Sequence, residues 1–422
     1  MPAMFMKDAA HTGFYPSPPL IHQPSVAWKF KTGNKVISSP VISKNLIYIG
    51  SSDSILYALD AQTGSLRWKF PTKGELCSTP LIADGKVCFL SYDAFFYALD
   101  AENGKLLWKF ATEGESRFKV KDYFKGNFEE DFWDFYLSSA VEEGGVLYFG
   151  SSDSHIYALE LESGKLVWKY KTGGSVHSSP ALGDGLLLAG SWDSRVYCLD
   201  ALTGQEKWVF TTGRDTASYI HLGIQASPSI EKGFVYIGSR DGKLYGLELA
   251  TGDSLWSNNS FDGSWMPSTA AIGLDFIASG SSDARNFYCF NKQNGEILLE
   301  VPTHSYTFSS PALTEKMAYI GSANGRLYGI DLEAGEAVWE FRTEGSLNDT
   351  SGFYDEEGMM NLERLMILAE GISTMPELTE LYEYLFKSTG AILSSPLIHE
   401  KRIYFGSSDG YVYALADIHD EG

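Results

Sequence analysis

IYIGSSDSILYALDAQTGSLRWKF, residues 47–70, returns as LYFGSSDSHIYALELESGKLVWKY at 147–170 and as VYIGSRDGKLYGLELATGDSLWSN at 235–258. The tyrosine inside this stretch recurs at Tyr57, Tyr97, Tyr157, Tyr197, Tyr245, Tyr288, Tyr328 and Tyr413, which makes eight copies, and three of the seven intervals are 40 residues. A period near 40, punctuated by aromatics and glycine turns, is that of a four-stranded propeller blade. The fold class read from it is all-β: an eight-bladed β-propeller of four-stranded antiparallel blades.

Within one copy, Ser38-Ser39-Pro40-Val41-Ile42 is a short strand of small residues suited to the crowded centre of a ring. Leu46–Ile49 and Ile55–Leu59 are β-branched and aromatic strands. Gly50-Ser51-Ser52-Asp53 turns between them, and Thr63-Gly64 makes the next turn, with Gly supplying positive φ. Trp68 then stands on the outermost strand, where its ring can cover the edge toward the next blade. The chain opens on an orphan fourth strand, Val26–Phe30, and ends after a third strand, Tyr411–Leu415. Together the two pieces make one blade, so the ends are expected to pair, because an open ring would leave edges unpaired. The division expected is an N-terminal extension (1–25), the propeller (26–416) and a short tail (417–422).

The pattern A-x-[TSN]-G-x-x-x-W resembles the PQQ-type, quinoprotein-like repeat family. Trp68, Trp108, Trp168, Trp208, Trp256 and Trp339 each follow a turn glycine by four residues, and Leu299 replaces Trp after Gly295. The resemblance implies tryptophan-docked blades. It is similar to the propeller of quinoprotein alcohol dehydrogenases, which would imply PQQ and Ca²⁺, and to bacterial outer-membrane-assembly propellers, which would imply a protein-binding scaffold. The dehydrogenases' adjacent-cysteine disulfide has no counterpart, since Cys77, Cys88, Cys198 and Cys289 are all apart. No Glu/Asn/Asp calcium set aligns either. The expectation is therefore a scaffold without a cofactor, with a PQQ/Ca²⁺-dependent quinoprotein dehydrogenase, or another enzyme with its active site at the channel mouth, as the alternative.

Departures from the period carry the functional information. Trp28 to Asp53 is 25 residues, but Trp108 to Asp153 is 45, Trp208 to Asp241 is 33 and Trp339 to Asp409 is 70. Pro40–Asp53, Pro228–Asp241 and Pro396–Asp409 all span 13, so the extra residues precede the inner strands and fall on one face of the disc. Insertions confined to one face mark a binding face. The blade-3 insertion, 113–136, holds Phe118, Tyr123, Phe124, Phe128, Phe132, Trp133 and Phe135. The blade-8 insertion, 344–389, reads as two helices with apolar stripes Leu362/Leu365/Met366/Ala369 and Leu378/Leu381/Tyr382/Leu385. Gly371 is expected to close the first helix, and Thr374-x-x-Glu377 to cap the second.

The formal charge is −21, and the insertions hold about half of it: seven acids against four bases, and ten against two. Such a chain does not bind nucleic-acid backbones, which need clustered Lys and Arg. It suits a basic protein or peptide partner. No stretch is apolar enough to span a membrane. Residues 1–20 lack a basic region followed by an apolar run, so the expected place is the cytoplasm, or the periplasm or cell exterior if a leader has been removed. A monomer is expected. The candidate contact residues are the channel-mouth set His177, His221, Gln225, Trp265, His304 and Tyr306, with Phe132, Trp133, Phe135, Tyr382 and Tyr384 as aromatic anchor area. His177, His221 and His304 come from neighbouring blades, but three such histidines are more often unrelated than a metal cluster. The recurring turn aspartates read as structural.

Overall fold

In a computed structural model, residues 2–121, 128–213, 222–259 and 263–417 are described; His221, Tyr123 and Phe124 lie outside them. Eight four-stranded antiparallel sheets form the blades of the propeller. The first is built from Val41–Ser43, Leu46–Ser51, Ile55–Asp60 and Leu66–Pro71. The eighth joins the two ends of the chain, because Ser25–Lys31 pairs antiparallel with Tyr411–Ala416 and Lys29 lies opposite Tyr413. Trp28 then docks on blade 1, donating to Ala61 O at 2.9 Å.

That docking bond repeats around the ring. Trp68 donates to Ala101 O, Trp108 to Leu161 O, Trp168 to Ala201 O, Trp208 to Leu249 O and Trp256 to Lys292 O, all at 2.9–3.1 Å. Each indole also lies on the turn glycine of the next blade. Gly64 has φ +69°, and a Cβ there would come within 2.6 Å of the Trp28 ring, so both conformation and contact require glycine. Leu299 covers Gly335 without an N–H to donate.

The channel wall explains the hydroxyls at the second inner-strand position. Thr79 N donates to Ser139 Oγ, Ser139 N to Ser179 Oγ, and so on through Ser227, Thr269, Ser310, Ser395 and Ser39, at 2.9–3.1 Å. A hydroxyl belt satisfies inward-facing amides that have no strand partner. The turn aspartates are structural in the same sense. Asp53 accepts from Tyr57 Oη at 2.6 Å, Gly33 N at 2.7 Å and Ile55 N at 3.1 Å, and this set recurs at Asp153.

The N-terminal segment is woven into the base of the ring, opposite the insertions. Ala3 bridges Ile82 of blade 2, while Ala9 O, Ala10 O, Thr12 O and Gly13 O accept from Leu182, Ile230, Ile272 and Leu313 of blades 4 to 7, at 2.7–2.9 Å. His11 is fully buried and donates through Nδ1 to Pro228 O at 2.9 Å. Burial pulls its imidazole down to about 4, against the raising effects of that bond and of Asp8. Farther on, Leu20 O accepts from Trp339 Nε1 at 3.0 Å. Leu20 thus supplies the docking carbonyl that a turn of the next blade supplies elsewhere.

The blade-8 insertion forms helices α1 (Glu344–Asn348), α2 (Leu362–Leu368) and α3 (Met375–Thr389). The Thr374/Glu377 capping box closes around α3. α2 ends earlier than Gly371, with Ala369 as its C-cap, because the last turn is already closed by bonds to the Ile367 and Leu365 carbonyls. The stripe of α3 is covered as its period implies. That of α2 is not: Leu365 and Leu368 face the core, while Leu362 and Met366 point to solvent.

Candidate functional site

The two described insertions meet over the channel mouth. The blade-3 insertion leaves the ring where Glu113 N donates to Asp153 Oδ2 at 2.8 Å. It makes a small hairpin of Lys119–Lys121 with Phe128–Glu130, then turns down into the mouth. Two acids anchor it there, and both are buried. Asp131 pairs with the Arg240 guanidinium, which lies between the rings of Trp192 and Trp265 at 4.3 and 4.1 Å. Arg240 Nη2 also donates to Gln225 Oε1 at 3.2 Å, and Gln225 Nε2 donates to Trp133 O at 2.6 Å. A charge taken out of water persists only when paired and hydrogen-bonded, and two aromatic faces add cation–π attraction.

Asp134 accepts from Phe118 N at 2.7 Å and lies 2.8 Å from His177 Nδ1. On the other side of the ring, His177 Nε2 is 2.7 Å from Ser152 Oγ, and Ser152 donates to Glu115 through both N and Oγ. Burial works against a charged His177, but the charge and hydrogen bond of Asp134, with Glu115 beyond, outweigh it and hold the imidazole above its ordinary value. Burial raises Glu115 more than its bonds from Ser151 and Ser152 lower it.

Trp133 fills the centre of the mouth. It stacks on Phe308 at 5.6 Å and 9°, and meets Tyr306 and Tyr382 at 5.0 Å, Phe132 at 4.8 Å and Trp265 at 6.4 Å. Tyr136 crosses the channel to donate to Leu393 O of blade 8 at 2.8 Å. Glu383 of α3 ties the insertions together, 2.7 Å from Lys35 Nζ and 3.3 Å from Arg117 Nη2. The two bases outweigh the cost of burial and hold this carboxyl below its usual range.

The sequence-derived candidates divide by position. His177, Gln225, Trp265, Phe132, Phe135 and Tyr382 are buried, and Trp133 and Tyr306 are half-buried against them. The aromatics expected to supply anchor area therefore cover one another, apart from Tyr384, which is 53% exposed. His304 sits at the rim with φ +63° and Nδ1 2.9 Å from Met359 Sδ, so it and His177 have separate partners. Among the described residues no three His, Cys, Asp or Glu side chains gather as a metal site. Sequence reasoning missed Asp131, Asp134, Glu115 and Arg240. A signal for Arg240 existed: it precedes the turn Asp241, where Ser52, Ser152, Ser282 and Ser408 stand in other blades.

A family model described as outer membrane protein assembly factor BamB matches residues 22–122, 130–264 and 261–353. No curated protein sequence matches the chain. Among solved structures, BamB from Moraxella catarrhalis superposes with a TM-score of 0.65 at 18% identity, covering 95% of this chain and 100% of that one. Quinohemoprotein alcohol dehydrogenase from Comamonas testosteroni gives 0.69 at 12% identity, covering 97% and 79%. A computationally designed protein gives 0.65 at 15%, covering 94% and 100%. At these identities the structural likeness speaks for the fold alone.

Proposed function

The chain belongs to the family described as outer membrane protein assembly factor BamB, and from that premise we propose that it is a non-enzymatic scaffold holding protein or peptide partners on its acidic, insertion-bearing face. On this reading it works on outer-membrane protein assembly, at the periplasmic side of that membrane. This is the alternative expected for a chain whose leader has been removed, and the family membership supports it over the cytoplasmic expectation. No helix among the described residues is long and apolar enough to cross a membrane.

The observation that supports this reading best is the contrast within the mouth face. Its centre is filled by the chain's own Trp133, Phe308, Tyr306 and Tyr382, whereas the surrounding insertion surface exposes Tyr384, Leu362, Met366 and Ile367 among acids. Exposed apolar side chains on a charged rim are the composition of a protein-contact surface. The quinoprotein alternative meets the same centre. A flat quinone and a calcium ion at the centre of the mouth would meet Trp133, stacked there on Phe308 and tied through Gln225 to the Asp131–Arg240 pair. The residues present do not fit that group.

Photo-crosslinkers placed in turn at Glu380, Tyr384, Lys44 and Asp184, in the cell of origin, test the scaffold reading. Crosslinks to outer-membrane assembly proteins from the first two positions and not from the base hairpins are expected. Crosslinks from the base hairpins alone would contradict it. Titration with PQQ and Ca²⁺ is expected to yield no dye-linked alcohol or sugar oxidation.

A further inference from the structure

We propose that the outward side of α2 is a docking site for a cationic amphipathic segment of a partner protein. The proposal rests on the scaffold reading above and names the chemistry of the segment that the face would take. α2 is held from below by Leu365 and Leu368, which pack with Phe353, Met360, Leu381 and Leu385. Its N-cap is Asn361, whose side chain accepts from Arg364 N, and Arg364 Nε donates to Ser351 O at 2.7 Å, so the helix is fixed on both flanks.

Fixing that side leaves the opposite one in water. Leu362 is 54% exposed, Met366 75% and Ile367 59%. Residues four apart are neighbours on a helix surface, so Leu362 and Met366 form one row. Glu363 and Ile367 form the next, and Glu370 follows just past the end of the helix. Three large apolar side chains on the solvent side of a seven-residue helix are not a scattered surface leucine.

Charge decides what such a face takes. Glu363 and Glu370 lie among the apolar residues, and the exposed Glu356 and Glu357 precede the helix. Within 344–389 the only bases are Arg364, turned to Ser351 O, and Lys387, near the far end of α3. A second copy would bring the same acids against these, and anionic lipid would be repelled. A helix or strand with Leu or Ile on one side and Lys or Arg along its edges satisfies both the apolar row and the carboxylates, in the manner of helix-to-surface peptide recognition.

The test titrates the full chain, at about 0.15 M salt where long-range attraction is screened, with two short synthetic Leu/Lys peptides of one composition. One gathers its leucines on one side when helical, and the other has them scrambled. The amphipathic peptide is expected to bind at least tenfold more tightly than the scrambled one. L362S/M366S/I367S, which alters exposed positions and no charge, should abolish that preference, and E363Q/E370Q should weaken both peptides. Equal binding of the two peptides, or unchanged binding by the triple variant, would overturn the proposal. So would a native dimer that the triple variant makes monomeric, or binding to phosphatidylcholine vesicles that the triple variant loses. Crosslinking from Tyr384 reads the scaffold function separately, so insertion-face crosslinks beside a failed peptide test would remove this inference alone.

Discussion

The channel is closed at both ends, and the two closures use different chemistry. At the base, residues 3–15 lace blades 2 and 4 to 7 together through backbone bonds to Ile82, Leu182, Ile230, Ile272 and Leu313. At the mouth, closure is by side chains: a cluster around Trp133, with the buried pairs Asp131–Arg240 and Asp134–His177 anchoring the insertion that carries it. Backbone lacing depends little on which residues provide it, whereas side-chain closure depends on every partner. The base should therefore fail most on deletion and tolerate substitution where only the backbone bonds, as at Ala3, Ala9 and Ala10, whereas single substitutions should already weaken the mouth.

The largest effect expected is from deleting residues 1–24 while keeping the Ser25–Lys31 strand. This removes the lacing bonds, the buried Met6, Tyr15 and Leu20, and the acceptor for Trp339 Nε1. At roughly 1 kcal/mol per hydrogen bond and about 1.5–3 kcal/mol per buried apolar side chain, the loss should exceed about 5 kcal/mol. It is read as a shift in the denaturant midpoint, and an unchanged midpoint would collapse the contrast. Asp131→Ala comes next, at about 3–5 kcal/mol, because it removes a buried carboxylate that pairs with the Arg240 guanidinium. Replacing both partners with apolar residues should cost far less, and a double-mutant cycle measures the difference.

Proton linkage sharpens the comparison, because a buried histidine at each end responds to pH with opposite sign. Buried His11 is pulled down to about 4 from an ordinary 6.5, so below 6.5 the unfolded chain binds a proton that the folded chain does not. Stability at the base should fall as pH drops from 6.5 toward 4, by about 3 kcal/mol in all. His11→Gln should flatten that part of a pH series of urea midpoints. His177 is raised, so its contribution is fully present below about 6.5 and is lost as pH rises through its folded value. His177→Gln should remove this smaller alkaline-side decline, and identical pH profiles for both variants would show that the two ends do not differ as described.

The same contrast explains what could be read in advance. The blades were legible because Tyr57 and its seven counterparts, the turn glycines and the tryptophans four residues beyond them repeat, and the docking bonds fall on those positions. The aromatics of the blade-3 insertion were legible as a cluster, though not as the buried centre they form. Asp131 and Arg240 are 109 residues apart, and nothing local ties a loop acid to a cation in another blade. The base closure left little trace, since Ala3, Ala9 and Ala10 act through carbonyls and amides that every residue has, while Gly13, at φ +61° with Met6 and Ala271 packed where a Cβ would stand, is one glycine among many. For α2, a helical period marks a stripe without saying which flank of it the protein covers, and the flank that holds Leu365 and Leu368 is the one covered.

Amide hydrogen exchange on the intact protein tests the two-ended closure most directly. The inward-facing N–H groups of Ile82, Leu182, Ile230, Ile272 and Leu313 have the N-terminal carbonyls as acceptors. They should therefore be protected as strongly as the belt amides of Ser139 and Ser179, which donate to Ser179 Oγ and Ser227 Oγ. Exchange of those five amides at the rate of the exposed base hairpins would contradict the account, because it would mean that the base stands open.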